Sequence, residues 1–495
     1  MLFTTAPFAF LYLPIVAIVF FALGRAPRAA AAWLGLASLF FYGYWMPVYV
    51  LLLLVSITTN YATGVAIGRL RDRPGGSGNA ASRRVLIAGL VFNLGLLSYF
   101  KYANFFLDSL RAVSDLSLPT ADVILPIGIS FFTFTQIAFL VDTYQKGTRE
   151  YRFIHYLLFV TYFPHLVAGP VLHHAQMMPQ FADPAIYRAN PARIAAGLML
   201  FALGLAKKIV VADGVAPFAD SVFDATAGGA VPTSAEAWMG ALAYTFQLYF
   251  DFSGYSDMAV GLSMIFGVKL PYNFASPYRA TNISEFWRRW HMTLSAFLRD
   301  YLYIALGGNR KGPTRRHVNL MVTMLLGGLW HGAGWTFVVW GGLHGLYLVL
   351  HHAVGERMAS ALKRVFPATA VAALAWLLTM LAVVVAWVFF RATDFQSAGT
   401  VLASMFGLGV QPDFPRILFN VGLDSWRGLW LIAACTFIAV MPVNSNRIFE
   451  RHLAACERGS MLAWFSIGAA LVAVATLVIV NELRASTSPF IYFNF

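Results

Sequence analysis

Between Arg316 and Glu356 the chain carries no Lys, Arg, Asp or Glu, a stretch longer than one bilayer crossing. A run of this kind must satisfy its own backbone N–H and C=O groups where water is absent, which leaves helices as the available structure. Comparable apolar runs recur along the 495 residues, of which 59% are hydrophobic and only 12% charged, at a mean hydropathy of +0.67. The chain therefore reads as an all-α polytopic membrane protein. No loop is long enough to hold a soluble domain, so residues 1–495 form one membrane domain. At about 20 residues per crossing, the apolar segments number roughly 10–13, including re-entrant or half-span pieces.

A net charge of +13 invites a nucleic-acid reading. The basic residues sit instead in short loops between apolar runs, where they set orientation by the positive-inside rule. Five arginines between Arg69 and Arg84, and the segment Asn309-Arg-Lys-Gly-Pro-Thr-Arg-Arg316, mark cytoplasmic connections. The segment Asp213 to Glu236, with four acids and no base, reads as an external loop. The first apolar run precedes the first basic residues, Arg25 and Arg28, the reverse of a cleaved secretory signal. These signs place both termini outside, with the final helix over Met461 to Val480. The parity does not close between the loop Asp142 to Arg152 and Asp213, so one apolar run in this region, or the run before it that contains Pro126 and Gly128, is expected to be re-entrant.

Within the charge-free run, Leu326-Gly-Gly-Leu-Trp-His-Gly-Ala-Gly-Trp335 sets one imidazole, His331, among glycines and tryptophans. Fifteen helical residues beyond Arg316 correspond to about 22 Å, past the middle of a core about 30 Å thick. A polar side chain at that depth needs a partner or a cavity, which makes it a functional candidate. Burial favours the neutral imidazole, which can accept a proton from a hydroxyl that attacks an ester or thioester. Taken alone, the motif fits a packed, hydrogen-bonded structural histidine equally well.

Upstream, Asn282-Ile-Ser-Glu-Phe-Trp-Arg-Arg-Trp-His291 opens with a capping-box signature, Asn282 and Glu285. Apolar residues from Ile283 to Tyr301 fall on one stripe at helical spacing, so an amphipathic helix lying at the cytoplasmic interface is expected. His291 sits at the edge of its apolar face. His344 and the pairs His173-His174 and His351-His352 read as loop or interface residues. Asp251 and Asp257 lie in an apolar run and need partners, with Arg279 a candidate. The sequence has no HExxH, no Cys/His metal spacing, no GxSxG and no Walker A loop, so no metal site is expected.

Five segments resemble the membrane-bound O-acyltransferase (MBOAT) family, bacterial polysaccharide branch. They are Leu125-Pro-Ile-Gly-Ile-Ser-Phe-Phe-Thr-Phe134, Tyr249-Phe-Asp-Phe-Ser-Gly-Tyr-Ser-Asp257, Phe286-Trp-Arg-Arg-Trp-His291, Tyr301-Leu-Tyr-Ile-Ala-Leu-Gly-Gly308 and Gly328-Leu-Trp-His-Gly332. The resemblance implies a helical ring around a tunnel, with His331 as the essential histidine and His291 as its second motif histidine. It also implies a multi-pass O-acetyltransferase of the bacterial inner membrane that draws on a cytoplasmic donor, acetyl-CoA, for O-acetylation of an exported polysaccharide such as alginate. Peptidoglycan, cellulose and teichoic acid are alternative acceptors, and a membrane transporter with a histidine proton relay is the alternative of another class. Trp287 and Trp330 are candidate donor-path residues. Tyr492 is a candidate transient acyl acceptor or an interfacial aromatic anchor. With no external domain to grip a polymer, a periplasmic acetyltransferase partner is expected to complete transfer.

Overall fold

A computed structural model of the protein describes residues 1–72, 80–114, 120, 123–150, 152–408, 412, 416–484 and 488–491. Every regular element among them is helical. Six helices among the described residues are long and apolar enough to cross a membrane: Pro47–Arg71, Ala80–Val113, Pro191–Ala227, Trp335–Gly355, Ala368–Arg391 and Ser460–Glu482. The broken pair Ser425–Val440 and Ser445–Arg458 brings the count to seven if it is one span. Pro7–Ala22 is a shorter apolar helix. The run after the mixed loop gives only the nine-residue helix Phe153–Thr161. At about 14 Å this is half the thickness of a bilayer core.

The segment Asp213 to Glu236 is not a loop throughout. Helix Asp213–Ala227 continues the span that starts at Pro191, because its acids find cations. Asp220 and Asp224 both accept from Arg391, at 3.1 and 2.9 Å. Lys208 bridges Asp213 and Asp251, each at 2.7 Å, so a lysine rather than Arg279 neutralises the buried Asp251. Removing one partner of a buried ion group leaves the rest uncompensated, so Lys208→Ala is expected to cost about 3–5 kcal/mol. Thermal unfolding in detergent measures this, and an unchanged midpoint would refute the structural role.

The residues group into two compact units. The first holds Met1–Leu205, Tyr255–Tyr272 and the segment from Arg447. Its helices are joined by polar side chains that serve as glue where apolar contact gives no preference over lipid. Asn60 and Asn93 exchange amide hydrogen bonds at 3.2 and 2.6 Å, and Gln136 donates to Ser56 Oγ at 2.9 Å. The second unit holds Ala206–Gly254 and Asn273–Asn446, and with them both motif histidines.

Candidate active site

His331 is the last residue of an unbroken helix, Gly312–His331. The chain turns at Gly332 to Gly334 and returns as Trp335–Leu350. Glycines let the two arms of this hairpin touch backbone to backbone. A Cβ at Gly328 would overlap the Phe337 carbonyl oxygen and lie 3.1 Å from Gly341 Cα, and one at Gly341 would overlap the Met324 carbonyl oxygen. Backbone atoms cannot rotate away as a side chain can, so Gly328→Ala is expected to cost about 1–3 kcal/mol by overpacking. It should also lower turnover, since the arms that hold His331 must part; wild-type turnover with an unchanged unfolding midpoint would contradict this.

The expected amphipathic helix is broken. Asn282 Oδ1 accepts from Glu285 N at 2.8 Å, as a capping box requires. The Glu285 carboxylate accepts from Thr281 N and Oγ at 2.9 and 3.1 Å, and pairs with Arg289 at 2.5 Å. Burial opposes its charge, but these contacts hold the carboxyl below its ordinary range. The cap is therefore intact at neutral pH and is lost as pH falls through that lowered value. Helix Ile283–Arg289 then stops, and a new one runs from Met292 to Phe297.

Between them His291 adopts the left-handed conformation, φ 42°, costly for a residue with a Cβ. Asn273 clamps this turn. Its carbonyl oxygen accepts from Met292 N at 2.9 Å, and its side-chain oxygen accepts from Thr293 Oγ at 2.6 Å. A strained backbone held from several sides is a feature of functional sites.

The break turns His291 inward, to 0% exposure. Its ring centre lies 6.3 Å from that of His331, itself 3% exposed. The two histidines thus share one site, whereas sequence depth had set one at the cytoplasmic face and the other mid-membrane. Aromatic edges wall them in. Trp330 is 5.0 Å from His331 and 6.2 Å from His291 between ring centres, and Trp340 and Phe390 lie 5.0 and 5.3 Å from His331. Trp287, half-buried, lies 5.9 Å from Trp340 and donates its indole N–H to His344 Nδ1 at 3.3 Å. It also borders a cavity of about 280 Å³ whose other walls include Arg299, Tyr303, Arg316 and His352.

Of the candidates read from sequence, His331, His291 and Trp330 meet in one cluster, and Trp287 joins it through Trp340. Tyr492 lies outside the described residues. His344 was misassigned to a loop or interface: it is fully buried on the helix Trp335–Leu350, one turn beyond Trp340. The spacing from Trp340 to His344 was visible, but nothing marked which face of an almost wholly apolar helix looks inward. Chemically, two imidazoles enclosed by aromatic rings can take up and return a proton where bulk water does not compete.

Comparison with known proteins identifies the family. The sequence model of the MBOAT, membrane-bound O-acyltransferase family, matches residues 30–391. A peptidoglycan O-acetyltransferase of Helicobacter pylori is 40% identical, with 100% of this chain and 98% of the relative covered. A probable alginate O-acetylase AlgI of Azotobacter vinelandii is 41% identical over all of both chains. A teichoic acid D-alanyltransferase of Bacillus subtilis is 25% identical over 47% of this chain and 60% of the relative. With the motif histidines brought together in a polytopic helical protein and the family match spanning most of its length, the chain belongs to the membrane-bound O-acyltransferase family and is an O-acyltransferase.

Proposed function

We propose that this protein moves an acetyl group from a cytoplasmic donor, acetyl-CoA, across the bacterial inner membrane for O-acetylation of an exported cell-envelope polysaccharide, alginate being the first candidate. The observation that carries the reading is the meeting of His291 and His331 in one buried aromatic enclosure. His331 takes the proton of the attacking hydroxyl as its oxygen adds to the thioester carbonyl. The C–S bond then breaks, and the imidazole returns the proton to the departing sulfur. His291 orients the donor against His331. Trp287 stands where the cavity meets the ring cluster, and Trp330 lines the enclosure between the two histidines.

The basic segments around Arg310 to Arg316 orient the cavity toward the cytoplasm, and the acidic surroundings of Arg391 face the periplasm, as do both termini. Arg299 and Arg316 at the cavity suit the phosphates of a nucleotide-bearing donor. A periplasmic partner completes transfer to the polymer. Peptidoglycan is the second acceptor to weigh, because a relative named for it matches over nearly its full length.

Two measurements test the reading. Purified protein in detergent with labelled acetyl-CoA should release free CoA and lose label from the donor, whereas a transporter would leave the thioester intact. Analysis of polysaccharide and peptidoglycan from a deletion strain should show loss of O-acetyl groups from one polymer. Unaltered acetylation of both would end the proposed function.

A further inference from the structure

The ring cluster contains hydrogen-bonding groups that proton transfer at His331 does not use. His344 accepts the Trp287 indole N–H on Nδ1. A ring nitrogen that accepts carries no proton, so the neutral imidazole holds its proton on Nε2 and presents a donor there. That Nε2 is fully buried and has no hydrogen-bond partner among the described residues. The same is true of the indole nitrogens of Trp340 and Trp387, residues that are each 1% exposed. The three rings adjoin one another. Trp340 stacks on Trp387 at 5.6 Å and 19°, and His344 lies 4.8 Å from Trp340 and 6.0 Å from Trp387.

Buried donors left unsatisfied are costly and are found where something else satisfies them. Here all three are N–H groups, and the one side-chain acceptor among these rings, His344 Nδ1, is already engaged. The complementary ligand is therefore rich in acceptors and poor in donors. Its position is also set: Trp340 meets His331 edge-on at 5.0 Å, and Trp287 links His344 to the cavity.

We propose that Trp340, His344 and Trp387 form a carbonyl-binding subsite for the acyl donor, their N–H groups donating to the carbonyl oxygens of its thioester arm beside His331. The assignment rests on the acetyl-CoA reading above. These residues bind the donor and place its thioester carbon for attack. Trp287 sets the His344 tautomer from behind.

The test compares acetyl-CoA with its thioether counterpart S-ethyl-CoA, which lacks the carbonyl, on purified wild-type protein and on Trp387→Phe, His344→Phe and His344→Gln. Gln can both accept from Trp287 and donate; Phe keeps a ring against Phe286 and does neither. Losing one such hydrogen bond should raise the KM for acetyl-CoA about three- to tenfold in the two Phe variants. It should also shrink by a similar factor the preference for acetyl-CoA over inhibition by S-ethyl-CoA. His344→Gln should restore both quantities toward wild type, which a purely packing role would not do. Undiminished discrimination in Trp387→Phe and His344→Phe overturns the subsite, as does equal impairment of His344→Gln and His344→Phe. If His344→Phe does not fold, Trp387→Phe and His344→Gln decide by the same discrimination. Failure of the wild-type protein to turn over acetyl-CoA removes the donor reading itself, and the subsite with it.

Discussion

His331→Ala should fold, reach the membrane at wild-type levels and lose acetyl transfer by about 10²–10⁴-fold, the usual contribution of a positioned acid–base group. The folding half of this expectation follows from the position of the residue. His331 ends its helix, and the hairpin is held by contacts of Gly328, Gly341 and Gly345 rather than by the imidazole. The catalytic half follows from enclosure, since no bulk water is at hand to replace the lost base among Trp330, Trp340 and Phe390. Turnover of labelled acetyl-CoA, beside thermal unfolding of the same preparation, separates the two. Full acetylation by a well-folded variant would remove His331 from the chemistry.

The second large effect concerns His291. Asparagine tolerates a left-handed backbone better than most residues, so His291→Asn preserves the turn at φ 42° while deleting the imidazole. Activity should fall by about 10²-fold. Because the two rings work in one site, His331→Ala combined with His291→Asn should be no slower than His331→Ala alone. A multiplicative loss would mean that the histidines act at separate steps. His291→Ala should be worse folded than His291→Asn, by roughly 1–2 kcal/mol, because alanine bears the left-handed penalty without a side chain suited to it.

The membrane class, the terminal helix Ser460–Glu482 and the capping box at Asn282 were all legible in the chain, because hydropathy and short-range spacing carry them. What was not legible depended on contacts between distant segments. Apolar periodicity ran straight through Trp290 and His291, and only the hydrogen bonds to Asn273, some 18 residues upstream, reveal that the helix breaks there. Local charge made Asp213 to Glu236 look like a loop, since the cations that neutralise it, Lys208 and Arg391, lie one turn before it and far along the chain. His344 was overlooked for a similar reason. On a helix whose residues are nearly all apolar, the pattern gives no inward face, and a buried histidine looks like a peripheral one.

The glycine-to-glycine seam of the hairpin has a consequence for how this site tolerates change in length. Each residue added to a helix rotates everything beyond it by about 100° and advances it by about 1.5 Å. Because Gly328 and Gly341 face each other across the seam, the Gly312–His331 arm and the Trp335–Leu350 arm act as paired rulers. An insertion in one that is unmatched in the other puts side chains against backbone at the seam and swings His331 away from His291. Length variation among proteins of this architecture is therefore expected to collect at the basic turn before Gly312 and beyond Leu350, while the distance from Gly328 to Gly341 stays constant.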